Sequence, residues 1–213
     1  MWGPSRRIAA FLRQNLDLTA EQEEVAAYAL LVIFLTAASV AAVAFLGWLL
    51  GCMGEALAVL FTVFVLRSFS GGAHCTSPVR CTLTSALLAP AMGKLAAAGS
   101  LLLGAKALYP AVLGGGGLAT WLCWRLAPVE SPAKPLTSEA ARAFFRRAST
   151  AVAAGAIILQ VALLRFTPVP RSLVLAVTAG LLWQVFTLTA AGHRFVAGLD
   201  KTLSIIARGG EEG

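Results

Sequence analysis

Marking the charged positions along the chain leaves a series of long apolar runs. Val25 to Leu50 is 26 residues without a charge, more than the ~20 a helix needs to cross ~30 Å of hydrocarbon. Ala56 to Leu66 is only 11 residues long before Arg67. It predicts a short second span that either stops partway or draws Arg67 and Gly71-Gly72 toward the membrane. Thr82 to Ala105, interrupted by Pro90 and Lys94, and Ala107 to Trp124, with glycines at 114 to 117, predict the third and fourth spans. Ala148 to Leu164 and Leu173 to Gly192 complete a set of six. The expected fold is all-α, a polytopic integral membrane protein with one membrane domain over residues 1–213.

The first 24 residues follow a different pattern. Ile8, Phe11 and Leu12 are interleaved with Arg6, Arg7 and Arg13, which predicts an amphipathic helix over residues 4–18 lying on the inner leaflet. A solvated N-terminal helix is the alternative. Asp17 and the run Glu21-Gln22-Glu23-Glu24 interrupt any apolar core, so the segment does not read as a cleavable signal.

Composition supports the membrane reading. Of 213 residues, 58% are hydrophobic and 13% charged, against about 25% charged in soluble domains. Mean hydropathy is +0.80, more apolar surface than a water-soluble fold of this size hides. The net charge of +7 belongs to the edges of the spans and not to a soluble basic domain, so nucleic acid is not an expected partner and the lipid bilayer is. With the N-terminus inside, the cytoplasmic segments hold thirteen of the 17 Lys and Arg residues, the outer ones only Lys106, Arg165 and Arg171. This asymmetry predicts a multi-pass cell-membrane protein with both termini cytoplasmic and the segment after the second span at the cytoplasmic leaflet.

That segment, Arg67-Ser-Phe-Ser-Gly-Gly-Ala-His-Cys-Thr-Ser-Pro-Val-Arg-Cys81, concentrates the reactive side chains. Gly71-Gly72 permits a tight reversal. Ser77-Pro78 reads as a helix start, with serine as N-cap and proline in the first turn. Cys81 then falls about one turn into the helix, where the positive end and Arg80 favour an activated nucleophile. On an unbroken helix His74 and Cys81 would stand ~10 Å apart; the break at Pro78 lets the chain close that gap. A histidine and a cysteine form a minimal activated-thiol pair; Ser70 is a candidate orienting third member, with a plain loop serine the favoured reading.

Structural or metal-binding roles stay open on these residues alone. Yet His193 is the only other histidine and no carboxylate lies in the loop, so no metal or cofactor is expected. Cys52, Cys75, Cys81 and Cys123 lack C-x-x-C spacing, and a disulfide framework is not expected.

The run Arg67, Gly71-Gly72, His74, Cys81 after a second apolar segment resembles the accessory gene regulator B (AgrB-like) family. Leu126-Ala-Pro-Val-Glu-Ser-Pro-Ala-Lys-Pro-Leu136 is similar to that family's loop between the fourth and fifth spans. The resemblance implies a membrane-embedded cysteine endopeptidase that processes a small peptide precursor (AgrD-like) into a cyclic autoinducing peptide for quorum sensing. It implies His74 as general base and Cys81 as nucleophile, with Arg67 and Gly72 on motif positions that build the site. Cys75 departs from the pattern, where a small apolar residue is common.

The basic loop over residues 125–147, with Lys134, Arg142, Arg146 and Arg147 around Phe144-Phe145, has the character to hold an acidic precursor tail at the membrane surface. Topology and lipid contact alone would also account for it. Lys94, Gln160 and Gln184 are polar residues inside spans, expected to snorkel or to bond between helices. Small residues such as Gly47, Gly51, Ala37 and Ala41 predict close helix packing and a possible homodimer. Two other classes remain: a non-enzymatic peptide transporter, which has no need of His74 and Cys81, and a membrane thiol sensor or scaffold using Cys75 and Cys81 as a redox pair.

Overall fold

The computed structural model describes residues 3–130 and 138–209. Among these residues the chain forms eight α-helices, α1 (Gly3–Leu16), α2 (Ala20–Leu49), α3 (Met53–Ser70), α4 (Pro78–Leu102), α5 (Ala105–Leu126), α6 (Glu139–Phe166), α7 (Arg171–Phe186) and α8 (Ala190–Gly209). The first five apolar runs fall on α2 to α6, the sixth is divided between α7 and the start of α8, and α1 covers the expected amphipathic segment. Four of them, α2, α3, α4 and α6, are long and apolar enough to cross a membrane, or five spans if the bent pair α7–α8 counts as one.

Large apolar side chains on the outer faces, such as Phe61, Leu95 and Ile158, are exposed, as expected where lipid and not water is the surrounding medium. Inside, α3 is central and touches α2, α4, α6 and α7. Small residues set the spacing: a Cβ on Gly93 of α4 would meet the backbone nitrogen of Ala56 on α3 at 2.7 Å. Two cores result. One joins Val43, Ala56, Val59, Ala89 and Ala176. The other, built on Leu66, Cys123, Leu181, Val185 and Leu188, underlies the end of the bundle where the reactive loop emerges.

Several helices depart from the expected runs; α6 starts at Glu139, so Arg142, Arg146 and Arg147 of the expected basic loop are helical. α3 has 18 residues and continues through Glu55 and Arg67, because both charges find partners. The Glu55 carboxylate accepts from the Ser172 hydroxyl at 2.6 Å, and Arg67 donates to the carbonyl of Ala73. The run Leu173 to Gly192 breaks after Phe186, and α8 leaves α7 at 93°. Thr189 caps the new helix, its hydroxyl accepting from the Gly192 N–H at 3.0 Å, and Gly192 packs so tightly on the Phe186 backbone that no side chain fits.

Polar residues in the spans bond between helices. Gln160 accepts from Thr178 at 2.7 Å, Gln184 reaches the end of α3, and the Lys94 ammonium donates to the Leu50 carbonyl at 2.8 Å.

Candidate active site

The site is a seven-residue connection between two helices, held from three sides. α3 ends at Ser70, and Gly71 (φ 66) and Gly72 (φ 132) follow with backbone angles that side-chain-bearing residues rarely adopt. Gly71 forms a bridge with Val129, whose N–H donates to the Ser70 carbonyl at 2.9 Å. The two sequence blocks that stand apart in the chain, the Gly-Gly turn and the Ala127-Pro128-Val129-Glu130 loop, are therefore in direct contact.

The second support is the end of α7. Ala73 N–H donates to the Thr187 carbonyl at 3.0 Å, and Gln184 donates to the Ser70 hydroxyl at 3.0 Å and the Gly71 carbonyl at 2.7 Å. Gln184 Oε1 is buried without a partner, which costs about 1–3 kcal/mol; the two donations on its amide side hold the turn. Ser70 is thus buried against Gln184, an anchor of the turn. Gly72 lies under Thr187, where a Cβ would come within 2.6 Å of the hydroxyl oxygen.

From this platform the chain presents His74, which is exposed, followed by half-buried Cys75. α4 starts at Pro78, as the sequence predicts, and places half-buried Cys81 in its first turn. Ser77 occupies the N-cap position but its side chain makes no capping bond. Arg67, reaching over from α3 to the Ala73 carbonyl, lies in electrostatic range of His74, Cys75 and Cys81. The Arg67 charge thus acts on the imidazole and on both thiols, while the side chain that interacts directly with Cys81 is Cys75.

The electrostatics of His74 follow. Although part of its surface is open, crowding by protein atoms and then the charge of Arg67 disfavour the imidazolium, lowering its pKa to about 4. The ring is neutral at pH 7 and able to accept a proton. Cys75 Sγ lies 3.8 Å from the Thr84 hydroxyl, and burial pushes its thiol pKa up.

Arg80 is placed otherwise than the sequence implies. Its Nε donates to Asp200 of α8 at 2.6 Å, so its charge is balanced by a carboxylate. Asp200 also accepts from the Thr76 N–H at 3.2 Å and hydroxyl at 2.7 Å. Sequence reading missed this residue. The signal was available: no acid occurs between Glu55 and Glu130, and Asp200 is the single acid of α8, so a counter-ion for Arg80 has to come from a distant segment.

The basic-loop residues divide. Lys134 lies outside the described residues. Arg142 pairs with Glu130 at 2.8 Å, and Arg146 donates to the Ala127 carbonyl at 3.2 Å, so both brace the loop that abuts Gly71. Arg147 is exposed. Among the described residues no three His, Cys, Asp or Glu side chains are grouped to hold a metal ion.

These features define a multi-pass α-helical membrane protein with a histidine–cysteine loop at one end of its bundle. The chain matches the Accessory gene regulator B family over residues 5–188, and it belongs to that family. It is 26% identical over 205 residues to the AgrB-like protein 2 of Clostridium perfringens (strain 13 / Type A), covering 92% of this chain and 94% of the relative. It is 24% identical over 205 residues, with the same coverage, to the AgrB-like protein of Clostridium perfringens (strain SM101 / Type A). No solved structure matches the chain. Family membership gives the protein a role in the agr quorum-sensing system, in which the family works with AgrD-like pro-peptides.

Proposed function

We propose that the protein is a cysteine endopeptidase, a single membrane domain that cleaves an AgrD-like precursor through a thioester on Cys81. The observation that supports the reading is the His74 imidazole, neutral beside the Arg67 charge, on the short loop that leads into the helix bearing Cys81. His74 takes the proton of Cys81 Sγ, and the sulfur attacks the scissile carbonyl carbon. The N–H groups of Val79 and Arg80, in the first turn of α4 and without intrahelical acceptors, are placed to stabilise the oxyanion. His74 then protonates the departing amine, leaving the acyl group on Cys81.

A thiol or hydroxyl of the bound precursor next attacks the thioester carbonyl. The C–S bond to Cys81 breaks, the sulfur regains its proton, and a cyclic thiolactone or lactone leaves, provided water is kept out. The exposed Arg147 in the first half of α6, in a stretch of sequence that also carries Lys134, suits an acidic precursor tail. By the distribution of Lys and Arg this end faces the cytoplasm.

Reconstitution in liposomes with an AgrD-like precursor encoded nearby tests the reading. Intact-protein mass spectrometry is expected to find an acyl adduct on Cys81 in the wild type and in Cys75→Ser. A cleaved product with no adduct when Cys81 is replaced by serine would remove the nucleophile from the mechanism. Loss of cleavage in Cys75→Ser alone would favour a thiol pair over the peptidase.

The low pKa of His74 sets the pH dependence. A free imidazole near 6.5 would be about 90% protonated at pH 5.5 and lose about tenfold in rate as a base. Held near 4, His74 stays deprotonated there. Cleavage is expected to stay within about twofold from pH 7.5 to 5.5 and to fall only as pH approaches 4; an acid limb centred near 6.5 would contradict the geometry.

A further inference from the structure

We propose that Asp200 is a positioning residue for the proposed reaction, a latch by which α8 fixes the segment between His74 and Cys81. The inference rests on the peptidase reading and goes beyond it, since Asp200 lies outside the 5–188 region matched by the family.

One carboxylate holds both ends of a five-residue stretch. Oδ2 takes the N–H and the hydroxyl of Thr76, two residues after His74, and Oδ1 takes Nε of Arg80, the residue before Cys81. Arg80 also donates to the Thr76 hydroxyl, which closes the set into a ring around the start of α4. Asp200 is only 8% exposed, so water competes poorly for these bonds. The ring also accomplishes what Ser77 does not. With no cap from the Ser77 side chain, the carboxylate orders the approach to the helix from outside.

The arrangement has an electrostatic consequence. Asp200 balances Arg80, which leaves Arg67 as the cation whose charge acts on the imidazole. Removing the latch frees the Arg80 side chain to swing and lets His74 drift relative to Cys81. A displacement of about 1 Å in such a pair costs about a hundredfold in rate. On the proposed reading the precursor tail is held by basic residues such as Arg147 of α6, which take no part in this ring, so binding is expected to change little.

The test uses the full chain in liposomes with an AgrD-like precursor and compares wild type, Asp200→Asn, Asp200→Glu, Thr76→Val and Cys81→Ser. Asp200→Asn is expected to lower kcat about 30-fold or more, with KM within about threefold and an unchanged melting temperature. Asp200→Glu is expected to recover most of the loss, and adding Arg80→Gln to Asp200→Asn to cost little more, since both act on one ring. Slower alkylation of Cys81 by iodoacetamide in a Cys75→Ser background gives a readout independent of precursor. Should Asp200→Asn fail to fold, Thr76→Val carries the test, with the same split between kcat and KM expected.

Wild-type kcat in folded Asp200→Asn, or in Thr76→Val where it is the surviving probe, overturns the proposal. So does a loss shared by kcat, KM and melting temperature that Asp200→Glu leaves unrepaired. An inert Cys81→Ser beside a fully active Asp200→Asn sinks the latch alone, whereas an active Cys81→Ser sinks the peptidase reading beneath it.

Discussion

Replacing Cys81 with serine, or His74 with alanine, is expected to lower precursor cleavage at least about a thousandfold, and the double replacement to cost little more than either. A serine hydroxyl is a far weaker nucleophile at neutral pH than a thiol assisted by imidazole. Without the imidazole the sulfur has no local acceptor for its proton. Residues that act as one unit are strongly non-additive, because removing either member already idles the other. Arg67 lies in range of both groups, and its guanidinium survives both replacements. The residual rate of the double variant therefore measures what the turn and the bound precursor contribute without the pair. Single-turnover cleavage followed by mass spectrometry checks the expectation, with Cys75→Ser as the comparison expected to stay within about threefold. Multiplicative losses would mean that His74 and Cys81 act separately, against a general-base pair.

The helices were legible because the signal for them is local. An apolar run flanked by charges reports a span from composition alone, and α2 shows how far this goes: its capping box, Thr19 with Gln22, can also be read from four consecutive residues. The reactive loop was legible for a related reason. Gly-Gly, Ser-Pro and the spacing of His74 and Cys81 are short-range punctuation, and the structure has positive φ at both glycines and starts α4 at Pro78.

Tertiary partners carried no such mark. The apolar run stops at Leu66, but the helix runs on through Arg67 to Ser70, with the Ala73 carbonyl folding back to accept from the guanidinium. The partner of Arg80 was hidden for the same reason, since its counter-ion lies 120 residues away. Gln184 gave a visible oddity, an amide inside a span, and the structure supplies its purpose at the turn. Arg142 and Arg146 look from sequence like free cations for a substrate, yet each is engaged with the 127–130 loop. Buried or braced polar residues of this kind are best sought by asking where each charge finds its partner, a question of accounting that a periodic pattern does not answer.

The Gly71 turn is where these distant partners converge, and Gly71→Ala is expected to lower cleavage about a hundredfold. Two costs coincide there. Gly71 has φ 66 and ψ −149, a region that is nearly glycine-only and costs about 1–3 kcal/mol for other residues. A Cβ at this position would also overlap the Val129 carbonyl oxygen. Val129 has little freedom to retreat, because its own N–H is bonded to Ser70 and the neighbouring Ala127 carbonyl accepts from Arg146. The turn must therefore move, and His74 moves with it, three residues on. Gly117→Ala in α5 is the matched comparison: its Cβ would meet nothing within 4 Å, and alanine is the better helix former. Cleavage rates and thermal melts of the two variants should separate cleanly, with Gly117→Ala at the wild-type rate and at least as stable. A melting temperature lowered by a few degrees in Gly71→Ala, with most protein still folded at the assay temperature, locates the loss in the geometry of the loop. Full activity in Gly71→Ala would show that contact between the two loops is not needed to hold the histidine and the thiol in register.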